Sequence, residues 1–287
     1  MQLMLGKNVD LRKIAYPCIA SIKYDGMQAI TLPMQEAALN KKRTVATNLF
    51  SRNFKPVPNE HVRNTLANLS PGLQGELVAK GASFASSMSS LRSIDGEPEF
   101  EFIVFNCWGS YDPIFLSLPY EHRMKSAAVA IRDFPNVRLV EQVVCNHTAD
   151  VERLASEVVA QGHEGLMLTY TDAPYAPGRS NYLIKVKNFA EDEFELVDMH
   201  PEICGDTAIH RAAGTVGSAK DKLGALICRM VDGTYFRASC GFDDNYGETL
   251  WRNRDKYIGK LVTVKYLTCG QVRRPRHPVA KSIRDYE

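Results

Sequence analysis

Seven short runs rich in β-branched and aromatic residues crowd the first two thirds of the chain, at 18–24, 27–32, 73–79, 100–107, 137–144, 165–170 and 182–186. Runs of this length and composition read as strands. Helical stretches interrupt them irregularly. Asn59 caps one that carries Val62, Leu66 and Leu69 on one side, and Pro119 opens another that reaches about residue 133. The clearest spans 148–161, where Val151, Leu154, Ala155, Val158 and Val159 follow the i, i+3, i+4, i+7, i+8 spacing of a buried face and Gly162 supplies the stop. So many strands with interspersed helices put the chain in the α+β class. The serine-rich segment 83–93 is weakly patterned and reads as a mobile loop or a marginal helix.

After residue 188 the texture changes. An acidic stretch, Glu191-Asp192-Glu193-Phe194-Glu195, precedes short strands at 223–231, 234–239 and 261–267, and Asp232-Gly233 supplies a hairpin turn with positive φ angles. A small β-barrel fits this segment, and an oligonucleotide-binding barrel fits both its length and its charge. Two domains are expected, at 1–188 and 189–287. A chain of 287 residues is long enough for two cores of this kind.

The net charge is only +2, but it is unevenly spread. Between Trp251 and Arg284 the bases Arg252, Arg254, Lys256, Lys260, Lys265, Arg273, Arg274, Arg276, Lys281 and Arg284 face the single acid Asp255. A second basic stretch holds Lys41, Lys42, Arg43, Arg52, Lys55 and Arg63. Local excesses of this kind suit a phosphate backbone, whose counterions are released when its charge is neutralised. The seven cysteines are odd in number, scattered and without a C-x-x-C pair, which points to reduced thiols rather than a disulfide framework or a zinc site. No apolar segment approaches the roughly 18 residues of a membrane span, and residues 1–13 hold no signal-peptide core. A cytoplasmic monomer with no membrane contact and no obligate protein partner is the expectation.

Four places put a charge where burial makes it costly. Lys23 ends the apolar run 18–22 and is followed by an Asp25-Gly26 turn. Glu76 interrupts the apolar strand 73–79, Glu164 precedes the apolar 165–170, and Lys185 and Lys187 lie two apart in a strand and so share one face. Any one of these is readily structural. Together they suggest a lysine nucleophile in a charged cleft.

The ordered set Lys23-Tyr24-Asp25-Gly26, Ser51-Arg52-Asn53, Glu76, Phe102-Ile103-Val104-Phe105-Asn106, Glu164-Gly165-Leu166-Met167, Lys185-Val186-Lys187 and Arg276-His277-Pro278 with Arg284-Asp285 resembles the covalent nucleotidyltransferases. The closest likeness is to the minimal two-domain ATP-dependent DNA ligases. The resemblance implies a nucleotidyltransferase (adenylation) domain of antiparallel sheets flanked by helices, followed by a C-terminal OB-fold β-barrel. It implies sealing of nicked double-stranded DNA with ATP and Mg2+, through AMP held covalently on Lys23. Lys23, Lys185, Lys187, Asp25 and Glu164 would be catalytic. Ile22, Lys23, Glu76, Phe105, Lys185, Lys187, Arg276 and Arg284 would bind the nucleotide, with Phe105 stacked on adenine. Glu164, Asp25 and Glu76 would hold the metal, and Arg52, Lys55, Arg273 and Arg274 would contact DNA. A hinge near 188–191 would let the barrel close over the pyrophosphate.

Three positions depart from the family pattern: Gln28 where an Arg is common, Gln74 where an Asp precedes Gly-Glu, and Asn106 where an Asp often follows the stacking aromatic. Two other classes stay open on the residues alone. One is an RNA ligase or an RNA-capping guanylyltransferase of the same superfamily; the other is a non-catalytic nucleic-acid-binding barrel protein.

Overall fold

In the computed structural model the strand-forming runs of the first unit, Met1–Lys187, sort into two five-stranded sheets. The structure describes residues 2–40, 43–80, 84–109, 111–187, 189–204, 218–267 and 275–284. One sheet runs in the order β1 (Met4–Asn8), β10 (Gly178–Lys187), β9 (Gly165–Thr169), β2 (Cys18–Ile22), β8 (Val143–Cys145). The other runs β4 (Arg43–Ser51), β3 (Met27–Asn40), β5 (Leu73–Ala79), β6 (Phe100–Cys107), β7 (Val137–Leu139). Parallel pairing occurs once in each sheet, at an edge: β1 with β10 and β7 with β6. The remaining ladders are antiparallel.

Helices cover each sheet. Against the second sheet, Val62 of α1 (Glu60–Thr65), Leu91 of α2 (Phe84–Arg92) and Ala127 and Ile131 of α4 (Tyr120–Ile131) pack on Leu73, Leu77, Phe100, Phe102 and Val104; between α2 and α4 lies the short α3 (Pro113–Ser117). Against the first sheet, Val151 and Val158 of α5 (Thr148–Ala160) close over Cys18, Ala20, Leu166, Leu168 and Ile184. Burying each of the valine, leucine, isoleucine and phenylalanine side chains among these contributes about 1.5–3 kcal/mol. The helix starts match local chemistry. The Asn59 side chain accepts from Val62 N–H at 2.9 Å, and the Asp150 carboxylate accepts from the N–H groups of Asn146 and His147.

Three sequence expectations change, and one left open is decided. The run 137–144 is not one strand: β7 joins β6 in the second sheet, and β8 joins β2 in the first, so the chain crosses between sheets at 140–142. The run 27–32 extends to Asn40 because it pairs with β4, and the ladder shifts register between Thr31 and Gln35, around Pro33, which has no N–H to give. The serine-rich segment, open between a loop and a marginal helix, is helical as α2, and Ser87 Oγ docks it by accepting from Ala79 N–H at 3.0 Å. In the turn after residue 230 only Gly233 takes positive φ (80°); Asp232 instead accepts from Thr234 N–H at 3.0 Å.

In the second unit, Asn188–Glu287, the order β11 (Phe189–Cys204), β12 (Ser218–Arg229), β13 (Tyr235–Cys240), β15 (Arg276–Ile283), β14 (Leu261–Leu267) closes into a barrel. Leu196, Leu226, Phe236, Ala238, Val262, Val264 and Ala280 fill it, and Leu250 of α6 (Asp244–Arg252) packs against that core. No described helix is long and apolar enough to cross a membrane. Cys18, Cys107, Cys145, Cys228 and Cys240 are free thiols.

Candidate active site

The first unit carries a cleft of about 480 Å³ whose walls come from both of its sheets. β1 and β2 contribute Met4, Leu5, Gly6 and Ile22, β9 and β10 contribute Met167 and Lys185, and the second sheet contributes Gln28, Glu76 and Phe105.

Lys23 reaches this cleft through backbone pairing. Its N–H donates to Gly165 C=O at 2.9 Å, which lays the residue after β2 beside the start of β9. Lys187 sits opposite Gly165 across the β9–β10 ladder and Lys185 opposite Met167. Both ladders therefore converge on Glu164. Its carboxylate, only 5% exposed, pairs with Lys23 through Oε2 and with Lys187 Nζ through Oε1 at 2.7 Å. Burial alone would raise the Glu164 carboxyl, but the two ammonium groups outweigh it and hold the carboxyl below its ordinary value. Lys185 lines the cleft itself. Burial, then the charges of Lys23, Lys187 and Arg179, press its ammonium below the ordinary value.

Two glycines in this arrangement admit no side chain. A Cβ at Gly165, whose φ is +143°, would stand 2.2 Å from Val186 C=O. A Cβ at Gly26 would stand 2.2 Å from Leu77 C=O, where the chain crosses tightly over β5. That crossing also lets Gly26 N–H donate to the Glu76 carboxyl. Burial pushes Glu76 up to about 8; Lys23 and the Gly26 N–H pull it down, and Asp25 and Glu164 add to the rise.

The cleft is therefore strongly cationic. Among the described residues Lys23, Arg52, Arg92 and Lys185 line it, against one acid, Glu76, which carries its proton predominantly at neutral pH. Arg52, Arg92 and Lys185 make no ion pair or side-chain hydrogen bond among the described residues. A space walled by Phe105, Tyr120, Met88 and Met167, with the half-buried Lys23 and Lys185 on its wall, suits a flat base attached to phosphates.

The sequence-derived residues fall into four groups. Ile22, Lys23, Glu76, Phe105, Lys185 and Arg52 line the cleft, and Glu164 and Lys187 adjoin it through Lys23. Asp25 is half-buried beside Glu76 but is not among the lining residues, and Lys55 is exposed on the turn whose C=O accepts from Ser51 N–H at 2.7 Å. Arg276 begins β15 and Arg284 follows it on the barrel, where Arg284 pairs with Glu193. Arg273 and Arg274 lie outside the described residues.

Among the described residues no three carboxylate, histidine or cysteine side chains gather as a metal cage. Glu164 gives one oxygen to each of two lysines, and Glu76 is largely protonated. This donor set fits a magnesium ion held mainly by phosphate oxygens and water with one or two carboxylates, and does not fit a closed protein site.

Sequence reasoning missed several contributors. Met88 and Arg92 reach the cleft from α2, whose Phe84, Met88, Leu91 spacing is helical but diluted by serines. Tyr120 lines it from α4, its hydroxyl donating to Phe105 C=O at 3.1 Å. β1 was not foreseen at all. Two of the three departures are set into the packing. Buried Gln74 accepts from the Tyr175 hydroxyl at 2.9 Å, and Asn106 Oδ1 accepts from Arg123 Nε and Nη2 at 3.4 Å. Gln28 faces the cleft, opposite Glu76 on the neighbouring strand.

Residues 4–187 match the family profile described as ATP dependent DNA ligase domain, and residues 216–284 match that of the DNA ligase OB-like domain. A DNA ligase of Archaeoglobus fulgidus is 30% identical over 82 residues, a stretch covering 28% of this chain and 15% of that protein, so the chain spans a small part of this curated relative. The structure of a Chlorella virus DNA ligase-adenylate superposes with a TM-score of 0.55 at 24% identity, covering 100% of this chain and 99% of that one. A Lig E DNA ligase superposes with a TM-score of 0.73 at 21% identity, covering 99% of each. These likenesses establish the fold of both units.

Proposed function

The chain belongs to the ATP-dependent DNA ligase family, and from that membership we propose that it seals 5′-phosphate/3′-hydroxyl nicks in duplex DNA through a lysyl-AMP intermediate and an adenylated DNA 5′ end. Adenylation is assigned to a nucleotidyltransferase domain at 1–188 and DNA engagement to an OB-fold domain at 189–287. The observation that carries this reading is Lys23 at the wall of a cationic cleft, held by an acid it shares with Lys187.

In the first step Lys23 Nζ, having given its proton to solvent, attacks the α-phosphorus of ATP. A phosphorus–nitrogen bond forms and pyrophosphate leaves. Glu164 stays ionised and orients the Lys23 amine and the Lys187 ammonium, while Lys185 and Lys187 stabilise the oxygens on which charge spreads. Phe105 stacks on adenine beside Ile22, and the Glu76 carboxyl accepts from the ribose hydroxyls through its carbonyl oxygen. Glu164, with Asp25 and Glu76 acting through water, would hold a magnesium ion, which when bound neutralises the triphosphate and the departing pyrophosphate.

Arg276 and Arg284 close over the pyrophosphate in this step, for which Arg284 exchanges the Glu193 carboxylate for phosphate oxygens. AMP then passes to the 5′-phosphate of the nick, held by Arg52, and the 3′-hydroxyl displaces it. Lys55, Arg273 and Arg274 contact the DNA backbone.

The test is direct. Purified protein is given ATP and magnesium, then a nicked duplex. The expected results are one adenylate on Lys23, lost in Lys23→Ala, and a sealed strand. A protein that never gains the adenylate sinks the reading.

A further inference from the structure

Arg92 closes α2 on the cleft wall, and nothing in the reaction as described uses it. Its helix is firmly seated: Leu91 is fully buried, and Ser87 Oγ ties the helix to β5 through Ala79 N–H at 3.0 Å. The side chain itself is exposed and has no ion pair or hydrogen bond among the described residues. Arg52 shares all three properties: it lines the same cleft, is exposed, and lacks a partner for its guanidinium. Lys23, by contrast, is paired with buried Glu164 and has a side chain only 20% exposed.

The cations of the cleft thus divide by depth. Lys23 and Lys185 are partly buried, where a nucleotide enters, and Arg52 and Arg92 stand exposed on the walls. A duplex is too wide to enter a space of about 480 Å³, so its phosphates must be met by side chains that reach outward. An unpaired guanidinium on a rigid helix suits a phosphate, through its planar fork of donors.

We infer that Arg92 binds a backbone phosphate of the nicked DNA strand, as a second anchor beside Arg52. This rests on the ligase reading, and the test separates the two.

The AMP-charged full-length protein is titrated with a fluorescent nicked duplex lacking the reactive 3′-hydroxyl, by anisotropy, across a series of salt concentrations. Loss of one phosphate contact should make the plot of log affinity against log salt about 0.9 shallower. That change is expected for Arg92→Gln and Arg92→Ala, whereas Arg92→Lys keeps the charge and should keep the slope. The ATP concentration that half-saturates self-adenylation should not move with it. An unchanged slope in the neutral variants overturns the inference while leaving the ligase reading intact. So does a loss that appears equally in the ATP dependence, since that would make the bound phosphate the nucleotide's. If the unaltered protein neither charges nor binds the nick, both readings fall together.

Discussion

Lys187 Nζ stands 2.7 Å from Glu164 Oε1, and Lys23 pairs with the other oxygen of the same carboxylate. One buried acid thereby fixes two ammonium groups contributed by different strands. Without it the two like charges would repel inside a partly desolvated site. The acid holds Lys23, the proposed nucleophile, in place before any substrate arrives.

Glu164→Gln tests this directly. The amide keeps the shape but turns an NH2 group toward one of the two ammonium groups. The unfolding free energy from urea titration should fall by about 1.5–3 kcal/mol, the scale of a hydrogen bond to a charged group. The rate of lysyl-AMP formation should fall roughly 10²-fold, as when one preorganised electrostatic contact is removed. Charging at the unaltered rate would show that Lys23 does not depend on its partner.

Glu76 makes stability depend on pH. Its folded-state value of about 8 lies above the ordinary 4.5, so the folded protein binds more protons than the unfolded chain between those values. The stabilisation from this proton is fully present below about 4.5 and is lost as pH rises through about 8. Glu164 is shifted the other way: its contribution is fully present above its ordinary 4.5 and is lost only as pH falls below that, so it stays constant over this range and does not mask the effect. The thermal midpoint should therefore decline from pH 5 toward about 8, and the decline should flatten in Glu76→Gln. Equal slopes in the two proteins would remove Glu76 as the titrating group.

Much of this site was legible because its chemistry depends on short, local patterns. Gly26 and Gly165 must lack side chains where backbone carbonyls approach, and Lys185 and Lys187 share a face by the alternation of a strand. Strand assignments held where apolar runs were bounded by turns, as at β5 and β6. They failed at 137–144, where one apolar run serves two sheets, because hydrophobicity does not say which sheet a residue enters. β1 stayed hidden for a related reason: among the described residues it pairs with β10, which lies far along the chain. Met88 and Arg92 escaped because serine dilution hid the helical period of α2. The metal set was read from motif acids alone, and sequence could not reveal that Glu164 is already shared by two lysines.

Asn106 and Arg123 offer a stability test behind the cleft. Arg123 is fully buried and meets Leu118 C=O, Ala173 C=O and Asn106 Oδ1, with its guanidinium 5.8 Å from the rings of both Tyr120 and Tyr175. These neutral acceptors engage Nε, both Nη1 protons and Nη2 but do not balance its charge. Asn106→Asp places a carboxylate of the same shape against the guanidinium. The unfolding free energy should rise by about 1–3 kcal/mol at neutral pH, and the gain should vanish as the new acid is protonated. A lower urea midpoint would mean that desolvating the added carboxylate outweighs the pairing.

Arg52 separates the chemical steps. Its backbone N–H donates to Gln28 C=O at 3.2 Å, and Phe54 takes φ 58° to close the turn behind it, so the residue is held at the cleft while its side chain stays exposed. A cation so placed meets a phosphate arriving from outside more readily than one seated beside Lys23. In Arg52→Ala, charging with ATP should stay close to the unaltered rate. Transfer of AMP to the nick and sealing of a pre-adenylated nick should fall by roughly 10²-fold, the usual scale for losing one charge-stabilising contact. Single-turnover assays of each step read this out separately. If charging fell as far as sealing, the guanidinium would be acting on the nucleotide, and its assignment to the 5′-phosphate would be wrong.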